Sequence, residues 1–444
     1  MCWIKRRRHI SSFQIIIVSF LIAIIVGALL LMLPIATRGA GGASFLDALF
    51  TSTSAVCVTG LVVHDTATYW SLFGQMVILC LIQIGGLGVV TVALTLVKFS
   101  GRKIGLTQRS AMQEAIAAPS VGGIIRMTGF ISRVVVIVEL LGAVSLATQF
   151  CPEFGFLKGS WYAVFHSVSA FCNAGFDLIG VKGYYTSLTD YVDNPVINIT
   201  VMLLIIMGGL GFFVWDDIRK NKWHIKKYRM QSKVVFTMTL LLILMPALYF
   251  YFQEFSQLPL KARIFSSLFQ SITPRTAGFN TVSLPTISEA GLMIMIVLML
   301  IGGSPGSTAG GMKTTTIAVL FSNALAVFRR NDQAHLYGRR IPDGAVKKAA
   351  TVFLLYMTLF LAGGFIIMVA DKIPMSASFF ETASAIATVG LTVGITPGLS
   401  MLSKVILIIL MYFGRVGGLT LVFATVSEKK STNSKYPQER ITVG

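Results

Sequence analysis

Four short polar stretches of the chain each lie between apolar runs and end near a glycine. The first is Thr53-Ser-Thr-Ser-Ala-Val-Cys-Val-Thr-Gly-Leu61, and related stretches run over 166–177, 270–280 and 382–391. Their glycines, Gly60, Gly175, Gly278 and Gly390, are 115, 103 and 112 residues apart. One Ser/Thr-Ala-Gly run is common in an ordinary helix, but four at near-regular spacing indicate an internal repeat.

The chemistry that these stretches suit is the binding of a dehydrated monovalent cation by backbone oxygens. A short helix, a small-residue turn and a following apolar helix are the parts of a pore loop, whose carbonyls line a water-filled cavity. Glycine enters the backbone angles that point several carbonyls at one axis without the Cβ penalty. The segments 57–60, 172–175, 275–278 and 387–390 carry no acidic residue, whereas a pore selective for divalent ions more often carries an acidic ring.

The composition predicts a membrane protein. Of 444 residues, 55% are hydrophobic and only 12% charged, against about 25% charged in soluble domains. The net charge of +19 lies in connectors between apolar runs, so nucleic-acid binding is excluded. The five cysteines are scattered and show neither metal-ligand spacing nor a disulfide framework. A basic start followed by an apolar run resembles a signal peptide. The run over 13–33 is too long for one, however, so we expect a retained first helix.

The expected fold is an all-α polytopic membrane protein of four fused helix–pore-loop–helix repeats. It has eight transmembrane helices and four re-entrant pore helices around one pseudo-fourfold pore. The repeats are expected at 1–97, 98–215, 216–325 and 326–427, with a tail at 428–444. In each repeat the expected order is outer, pore and inner helix. The ranges are 13–34, 45–56 and 72–97 in the first repeat, and 127–149, 160–171 and 194–215 in the second. They are 232–252, 261–273 and 288–325 in the third repeat, and 346–370, 377–387 and 400–426 in the fourth.

The placement of cations predicts the topology. Lysine and arginine are concentrated at the termini and in the links between repeats, over 1–12, 98–126, 219–233, 329–348 and 429–440. The connectors around the pore loops hold fewer cations and more carboxylates. By the positive-inside rule, the two termini and the links are cytoplasmic, and every pore loop enters from outside.

The repeat pattern resembles the Trk/Ktr/HKT superfamily of potassium transporters over essentially the whole chain, and its compact length resembles the Ktr branch. The resemblance implies gated potassium uptake across a bacterial plasma membrane, with sodium as a candidate activator and no covalent cofactor. It implies a homodimer on a cytosolic ring of RCK-type nucleotide-binding subunits, with basic connectors that dock this ring or contact membrane lipid. Going by plant relatives, the resemblance also implies that Gly60, rather than serine, favours potassium over sodium. The implied filter residues are Cys57, Val58, Thr59, Gly60, Cys172, Asn173, Ala174, Gly175, Arg275, Thr276, Ala277, Gly278, Ala387, Thr388, Val389 and Gly390.

The third inner segment is interrupted by a run of glycines. As one helix, 288–325 would be about 57 Å long, against a hydrocarbon core of about 30 Å, and Pro305 with its neighbouring glycines should break it. A break at that depth is tolerated only inside protein or beside a cavity, so we expect a loop at 302–315 below the filter. The resemblance implies that this loop is a gate, with Lys313 repelling cations and Arg415 facing the loop. The expected gate residues are Gly302, Gly303, Ser304, Pro305, Gly306, Ser307, Thr308, Gly310, Gly311, Lys313 and Arg415.

Several roles stay open at this stage. Glu139 is either a proton or sodium coupling group or a structural hydrogen-bonding group between helices. Asp177 either attracts cations at the pore mouth or is a solvated loop carboxylate, and Arg275 either buttresses the third pore loop or sets selectivity. Arg415 could also snorkel from a helix end. A secondary symporter coupling potassium to sodium or protons is the alternative function, which four repeats in one orientation disfavour. The sequence shows no paired catalytic residues of the kind that would indicate an enzyme.

Overall fold

The computed structural model describes residues 11–39, 41–92, 110, 113–114, 124–418, 420, 437 and 439. The expected cytoplasmic tail, apart from residues 437 and 439, and the end of the first inner helix at 93–97 lie outside the described residues. Within them, the helices follow the same order four times: a long outer helix, a short pore helix and an inner helix.

The outer helices are Ser12–Leu31, Ile124–Phe154, Met230–Tyr249 and Asp343–Asp371, the third continuing as a π-helix over Phe250–Glu254. The pore helices are Phe45–Val56, Phe156–Cys172, Leu260–Ile272 and Met375–Ile386. The inner helices are Leu72–Leu87, Pro195–Gly209 followed by Phe212–Asn221, Glu289–Leu300 followed by Thr314–Phe328, and Met401–Val416.

The connections contain only short elements. A four-residue helix covers Thr66–Tyr69, and 3-10 turns cover Pro34–Ala36, Ile179–Val181, Thr189–Tyr191, Ile225–Lys227, Leu284–Thr286 and Thr396–Gly398. Strands His335–Leu336 and Arg339–Arg340 form an antiparallel hairpin between the third and fourth repeats.

Serine residues begin many of these helices. Ser11, Ser44, Ser71, Ser288 and Ser400 each accept a hydrogen bond from the backbone N–H three residues further on. Such a cap satisfies one of the four N–H groups that a helix start leaves unpaired. The starts of these five helices are therefore encoded locally, by a serine directly before the first helical residue.

Helix ends are set by backbone conformation. The inner helices were expected to be continuous over 72–97, 194–215 and 400–426, but they are interrupted at Gly88, Gly211 and Gly417, with φ of 85°, 92° and 90°. A left-handed residue cannot continue a right-handed helix, and glycine takes that conformation at little cost. At Gly211 the axis turns by 94°. The third break runs from Ile301 to Lys313, so the second half-helix starts within the expected loop 302–315.

Four helices among the described residues are long and apolar enough to cross a membrane: Ser12–Leu31, Arg126–Phe154, Met230–Glu254 and Asp343–Asp371. A fifth span results if the bent pair Pro195–Gly209 and Phe212–Asn221 is counted as one. The outer helices meet the length of about 20 residues that a span needs, whereas the glycine breaks shorten the inner ones. The arrangement of eight spanning and four re-entrant helices stays a prediction.

Glycines also let three of the inner helices approach their own pore helices closely. A Cβ added to Gly85, Gly208 or Gly414 would overlap the carbonyl oxygen of Val56, Phe171 or Ile386, respectively. Gly85, Gly208 and Gly414 each stand three residues before one of the glycine breaks. In the motif Gly-x-x-Gly, the first glycine therefore contacts the backbone of the pore helix, and the last glycine ends the inner helix.

We expect Gly414→Ala to lower the thermal unfolding midpoint of the purified protein in detergent. Its methyl group would overlap Ile386 O and lie 3.0 Å from Thr388 Cγ2, and overpacking of this kind costs about 1–3 kcal/mol. The matched control is Gly344→Ala, because a Cβ at Gly344 meets nothing within 4 Å. Equal midpoints for the two variants would contradict the packing assigned to Gly414.

Candidate functional site

The four filter glycines lie against one another in a closed ring. A Cβ at Gly175 would lie 2.8 Å from Ala277 O and 2.9 Å from Gly278 Cα. A Cβ at Gly60 would lie 3.0 Å from Gly175 Cα, and one at Gly278 would lie 3.4 Å from Gly390 Cα. The circle closes because a Cβ at Gly390 would lie 2.9 Å from Gly60 Cα. Each repeat thus presents its backbone to the next repeat in chain order, around one axis.

The backbone of each filter segment adopts the same unusual conformation. Two residues before each glycine, Val58, Asn173, Thr276 and Thr388 have φ of 58°, 60°, 71° and 54°. The glycines themselves have φ of 94°, 68°, 85° and 95°. Left-handed φ at a non-glycine residue is uncommon and is retained where the surroundings enforce it, often at functional sites. Positive φ at alternate positions lets a short strand direct several carbonyls to one side.

Hydroxyl groups hold each filter segment against its own pore helix. Ser54 Oγ accepts from Gly60 N, and Ser384 Oγ accepts from Gly390 N, both at 3.0 Å. In the other two repeats the hydroxyl donates instead, Ser169 to Phe176 O at 2.7 Å and Thr273 to Phe279 O at 2.5 Å. These four residues were not among the predicted site residues. The sequence feature that could have identified them is the hydroxyl-rich run before each glycine.

The pore helices end beside the ring. Cys57 and Ala387 are the C-caps of the first and fourth pore helices, and Cys172 is the last residue of the second. The first residue predicted for these filter segments therefore belongs to the end of a helix. The C-terminal end of a helix carries partial negative charge, which favours a cation nearby.

Side chains of the second and third filter segments contact each other and the surrounding helices. The Asn173 amide and the Thr276 hydroxyl are hydrogen bonded at 3.2 Å across the boundary between repeats. Arg275 is 5% exposed, and its Nη2 donates to Thr239 Oγ1 of the outer helix at 3.3 Å. This contact favours the buttress among the two roles considered for Arg275.

The loop 301–313 lies on the side of the ring where the pore helices end. Thr308 Oγ1 donates to Phe171 O at 3.1 Å, and a Cβ at Gly311 would lie 3.0 Å from Ala387 O. Backbone hydrogen bonds tie the loop to the breaks of two inner helices: Ser304 N to Gly209 O, Thr308 N to Gly208 O, Phe212 N to Gly306 O and Gly311 N to Gly414 O, at 3.1, 3.2, 2.7 and 3.2 Å. The loop therefore extends from the second to the fourth repeat beneath the filter segments.

Two cations lie on or against this loop. Arg415 donates through Nη1 to Thr308 O and through Nη2 to Gly85 O and Gly86 O. Its contact with the loop was expected, whereas its contact with the first inner helix was not. Lys313 Nζ donates to Ala309 O at 2.8 Å and Gly310 O at 3.1 Å. Among the described residues, neither cation has a carboxylate within ion-pair distance, so their positive charge is not neutralised there.

Glu139 lies behind the second filter segment and outside the ring. Its Oε2 accepts from Gln83 Nε2 at 3.2 Å, and its Oε1 is 3.9 Å from Cys172 Sγ. The carboxyl group thus connects an outer helix, an inner helix and the end of a pore helix. These contacts support the structural reading of Glu139 over the coupling one.

Two buried polar residues, one turn further back on the pore helices, support the segments that follow the filter glycines. His166 Nε2 accepts from Leu178 N at 3.3 Å, while its Nδ1 is 2.7 Å from Tyr162 O. Glu381 accepts hydrogen bonds from the hydroxyls of Thr392 and Thr396. Glu381 was not recognised in the sequence, although an acidic residue inside an apolar pore segment was the available signal. No group of three or more His, Cys, Asp or Glu able to hold a metal ion occurs in the described part of the chain.

Asp177, beyond the second filter glycine, is partly exposed, and its Oδ1 accepts from Ile179 N at 3.0 Å. Asp65 lies nearby and accepts from the backbone of the neighbouring connections, including Tyr185 N at 3.2 Å. Desolvation and the charge of Asp65 raise the pKa of Asp177 to about 7. The carboxyl of Asp177 is therefore neutral below about pH 7 and negative above it.

The geometry defines a class of protein: a helical membrane protein whose four similar units surround one ring of backbone. Comparison with known proteins identifies the family. The chain matches the TrkH family, described as a cation transport protein, over residues 3–435, and it belongs to that family. This assignment confirms the resemblance stated from the sequence, and it confirms that the chain is a transport protein and not an enzyme.

The relatives match along their full length. The chain is 40% identical to "Potassium/sodium uptake protein NtpJ" of Enterococcus hirae, covering 99% of this chain and 98% of that protein. It is 38% identical to "Ktr system potassium uptake protein B" of Bacillus subtilis, covering 97% and 96%. The solved structure of the potassium transporter TrkH from Vibrio parahaemolyticus has a TM-score of 0.75 at 20% identity, covering 96% of this chain and 87% of that one. The predicted mostly helical membrane fold is thus confirmed in its general class.

We expect cation transport by this protein to have a lower half-saturating concentration at pH 8 than at pH 6. The negative form of Asp177 attracts cations to the mouth, and one charge near a surface changes local binding on the order of twofold to fivefold. Asp177→Asn should remove the pH dependence and resemble the wild type at pH 6, in flux measurements on proteoliposomes. The matched control, Asp190→Asn, removes an exposed carboxyl on the same side. An Asp177→Asn variant that keeps the full pH dependence would exclude this role.

Proposed function

We propose that this chain carries potassium into the cell through the ring of its four filter segments. The observation that carries the proposal is the closure of Gly60, Gly175, Gly278 and Gly390 around one axis, each two residues after a left-handed residue. Carbonyl oxygens arranged in this way replace the hydration shell of a monovalent ion without fixed negative charge. The names of the relatives, which describe potassium uptake, support potassium as that ion.

Sodium is proposed to be either an activator or a second transported ion. The support for it is the name of the Enterococcus hirae relative, a potassium/sodium uptake protein. The symporter alternative receives less support, because Glu139 contacts Gln83 and Cys172 behind the filter and not along the axis.

The loop 301–313 is proposed as the gate. It lies beneath the filter segments with Lys313 and Arg415, whose positive charges oppose a cation on the axis. Backbone at membrane depth is tolerated where it is packed in protein, and Thr308 and Gly311 are both buried. Opening requires the loop to leave the axis, so its hydrogen bonds to the second and fourth repeats are the contacts that hold the closed state.

We place the protein in the bacterial plasma membrane as a homodimer, with both termini and the inter-repeat links on the cytoplasmic side. The regulatory partner is proposed to be a cytosolic RCK-type nucleotide-binding ring, and the word "system" in the names of the Ktr relatives supports a multicomponent assembly.

The test of the proposed function is the ion selectivity of Gly390→Ala in proteoliposomes. A Cβ at residue 390 would overlap Thr59 O. The alanine would also have to adopt the φ of 95° of Gly390, which strains any residue other than glycine. We expect the ratio of potassium to sodium flux to fall about tenfold, which corresponds to about 1.4 kcal/mol in relative binding. Gly398→Ala is the matched control, because a Cβ at Gly398 meets nothing within 4 Å.

An unchanged flux ratio in a Gly390→Ala protein that elutes as the wild type in size-exclusion chromatography would overturn the proposed filter. Absence of potassium flux from the wild-type protein in liposomes of bacterial lipid, with its regulatory subunit present, would overturn the transport function itself.

The proposed gate predicts a separate result for Arg415→Gln. The substitution removes one positive charge beneath the ring and the bonds that join Thr308 O to the first inner helix. We expect basal potassium flux, measured without activating ligand, to rise at least about tenfold, because a hydrogen bond from a charged group contributes about 1.5–3 kcal/mol and about 1.4 kcal/mol is a factor of ten. Lys348→Gln, which removes an exposed cation from the fourth outer helix, should leave basal flux unchanged. Equal basal flux in the two variants would argue against a gate held by Arg415.

A further inference from the structure

An apolar groove of about 820 Å³ lies beside the second inner helix, away from the ring. Its walls are Ile206 and Leu210 before the bend of that helix, Ile218 after the bend, and Phe236, Leu240 and Ile243 of the third outer helix. An occupant of the groove would therefore touch both arms of the 94° bend. The same bend carries Phe212, whose N–H donates to Gly306 of the loop at 2.7 Å.

Unneutralised lysines surround one end of the groove. Lys222 and Lys233 line it, and Lys226 and Lys227 follow in the same link. The nearby carboxylates of Asp216 and Asp217 are already paired with Arg219, Lys220 and Arg229. In the described residues none of the four lysines has a carboxylate within ion-pair distance, and Lys233 Nζ donates only to the carbonyl of Lys226. This end of the groove attracts an anion.

The other end opens on the apolar surface of the third outer helix. Leu240, Leu244, Met245 and Leu248 on this helix are 60%, 47%, 65% and 58% exposed. At the lysine end, Trp223 is 94% exposed, as tryptophan at a membrane–water interface commonly is. The lysines, Trp223 and the aliphatic wall therefore match the headgroup, the interface and the acyl chain of a lipid, respectively.

We propose that this groove binds one anionic phospholipid, with an acyl chain against Leu210, Phe236 and Leu240 and its phosphate beside Lys222 and Lys233. Anionic headgroups are attracted to clustered lysines at the cytoplasmic surface, and the link 219–233 is on the side that the positive-inside rule assigns to the cytoplasm. The groove is separate from the filter, so the proposal does not depend on which ion is transported.

Native mass spectrometry of the purified full-length chain, after addition of phosphatidylglycerol or phosphatidylcholine with identical acyl chains, tests the site. We expect the wild type to retain phosphatidylglycerol in preference to phosphatidylcholine. The double variant Lys222→Gln/Lys233→Gln should bind phosphatidylglycerol at least about tenfold more weakly, since each lysine near an anionic headgroup contributes about fivefold. The matched control, Lys347→Gln/Lys348→Gln, removes two cations at the start of the fourth outer helix and should bind as the wild type does.

Three results would overturn the proposal. The first is equal retention of the two lipids by the wild type, and the second is equal binding by the two lysine variants. The third is disulfide cross-linking between two copies of the Thr237→Cys variant in native membranes, because a second copy would then cover the groove. The background is the cross-linking of the parent chain, whose Cys80 is exposed, and the variant must exceed it.

Discussion

Contact between backbones, without intervening side chains, is the constraint on which this structure depends. Around the ring, each filter glycine is so close to the next repeat that a methyl group at Gly175 would lie within 3 Å of Gly278 Cα. Behind the ring, Gly85, Gly208 and Gly414 bring the inner helices equally close to the ends of the pore helices. The two sets of contacts are connected, because a pore helix that is pushed outward moves the filter segment attached to it. Glycine at both levels is therefore needed to keep four separate segments around one axis.

Polar groups inside the protein follow from the same constraint. Filter segments in left-handed conformation cannot pair as a sheet, so their N–H and C=O groups need other partners, since buried unpaired groups are costly. The hydroxyls of Ser54, Ser169, Thr273 and Ser384 supply some of them. The third repeat differs, because Thr273 stands five residues before its glycine and the other hydroxyls stand six before theirs. Repeats that look alike in sequence thus reach the same ring with different local hydrogen bonds.

The general fold and the four glycines were predictable, because each depends on a local or periodic signal. Apolar length identifies the outer helices, serine caps mark several helix starts, and five glycines with Pro305 over 302–311 mark the broken third inner segment. The 94° bend at Gly211 was not predictable, because its motif Gly208-Gly-Leu-Gly211 sits in an apolar run that otherwise favours a continuous helix. The contact of Arg415 with Gly85 and Gly86 joins residues some 330 positions apart. Nothing in local sequence encodes such a partner.

The hydrogen bonds of the loop are unevenly distributed, and this decides how the proposed gate can open. The first half, from Ser304 to Thr308, has three backbone bonds to the second inner helix and one hydroxyl bond to Phe171. The second half, from Ala309 to Lys313, has one backbone bond to another helix, from Gly311 to Gly414.

At about 1 kcal/mol for each neutral bond, bonds to other helices hold the first half by roughly 4 kcal/mol and the second half by roughly 1 kcal/mol. The second half is also joined to the start of the loop by the backbone bridge between Ile301 and Met312. Arg415 bonds to Thr308 O at the boundary between the halves. Opening therefore breaks fewest bonds when the second half swings away while Ser304 to Thr308 stays on the bent helix. Thr308 stays in place in such a movement, so Arg415 keeps its bonds to Thr308 O, Gly85 O and Gly86 O and anchors the fixed half of the loop to the first inner helix.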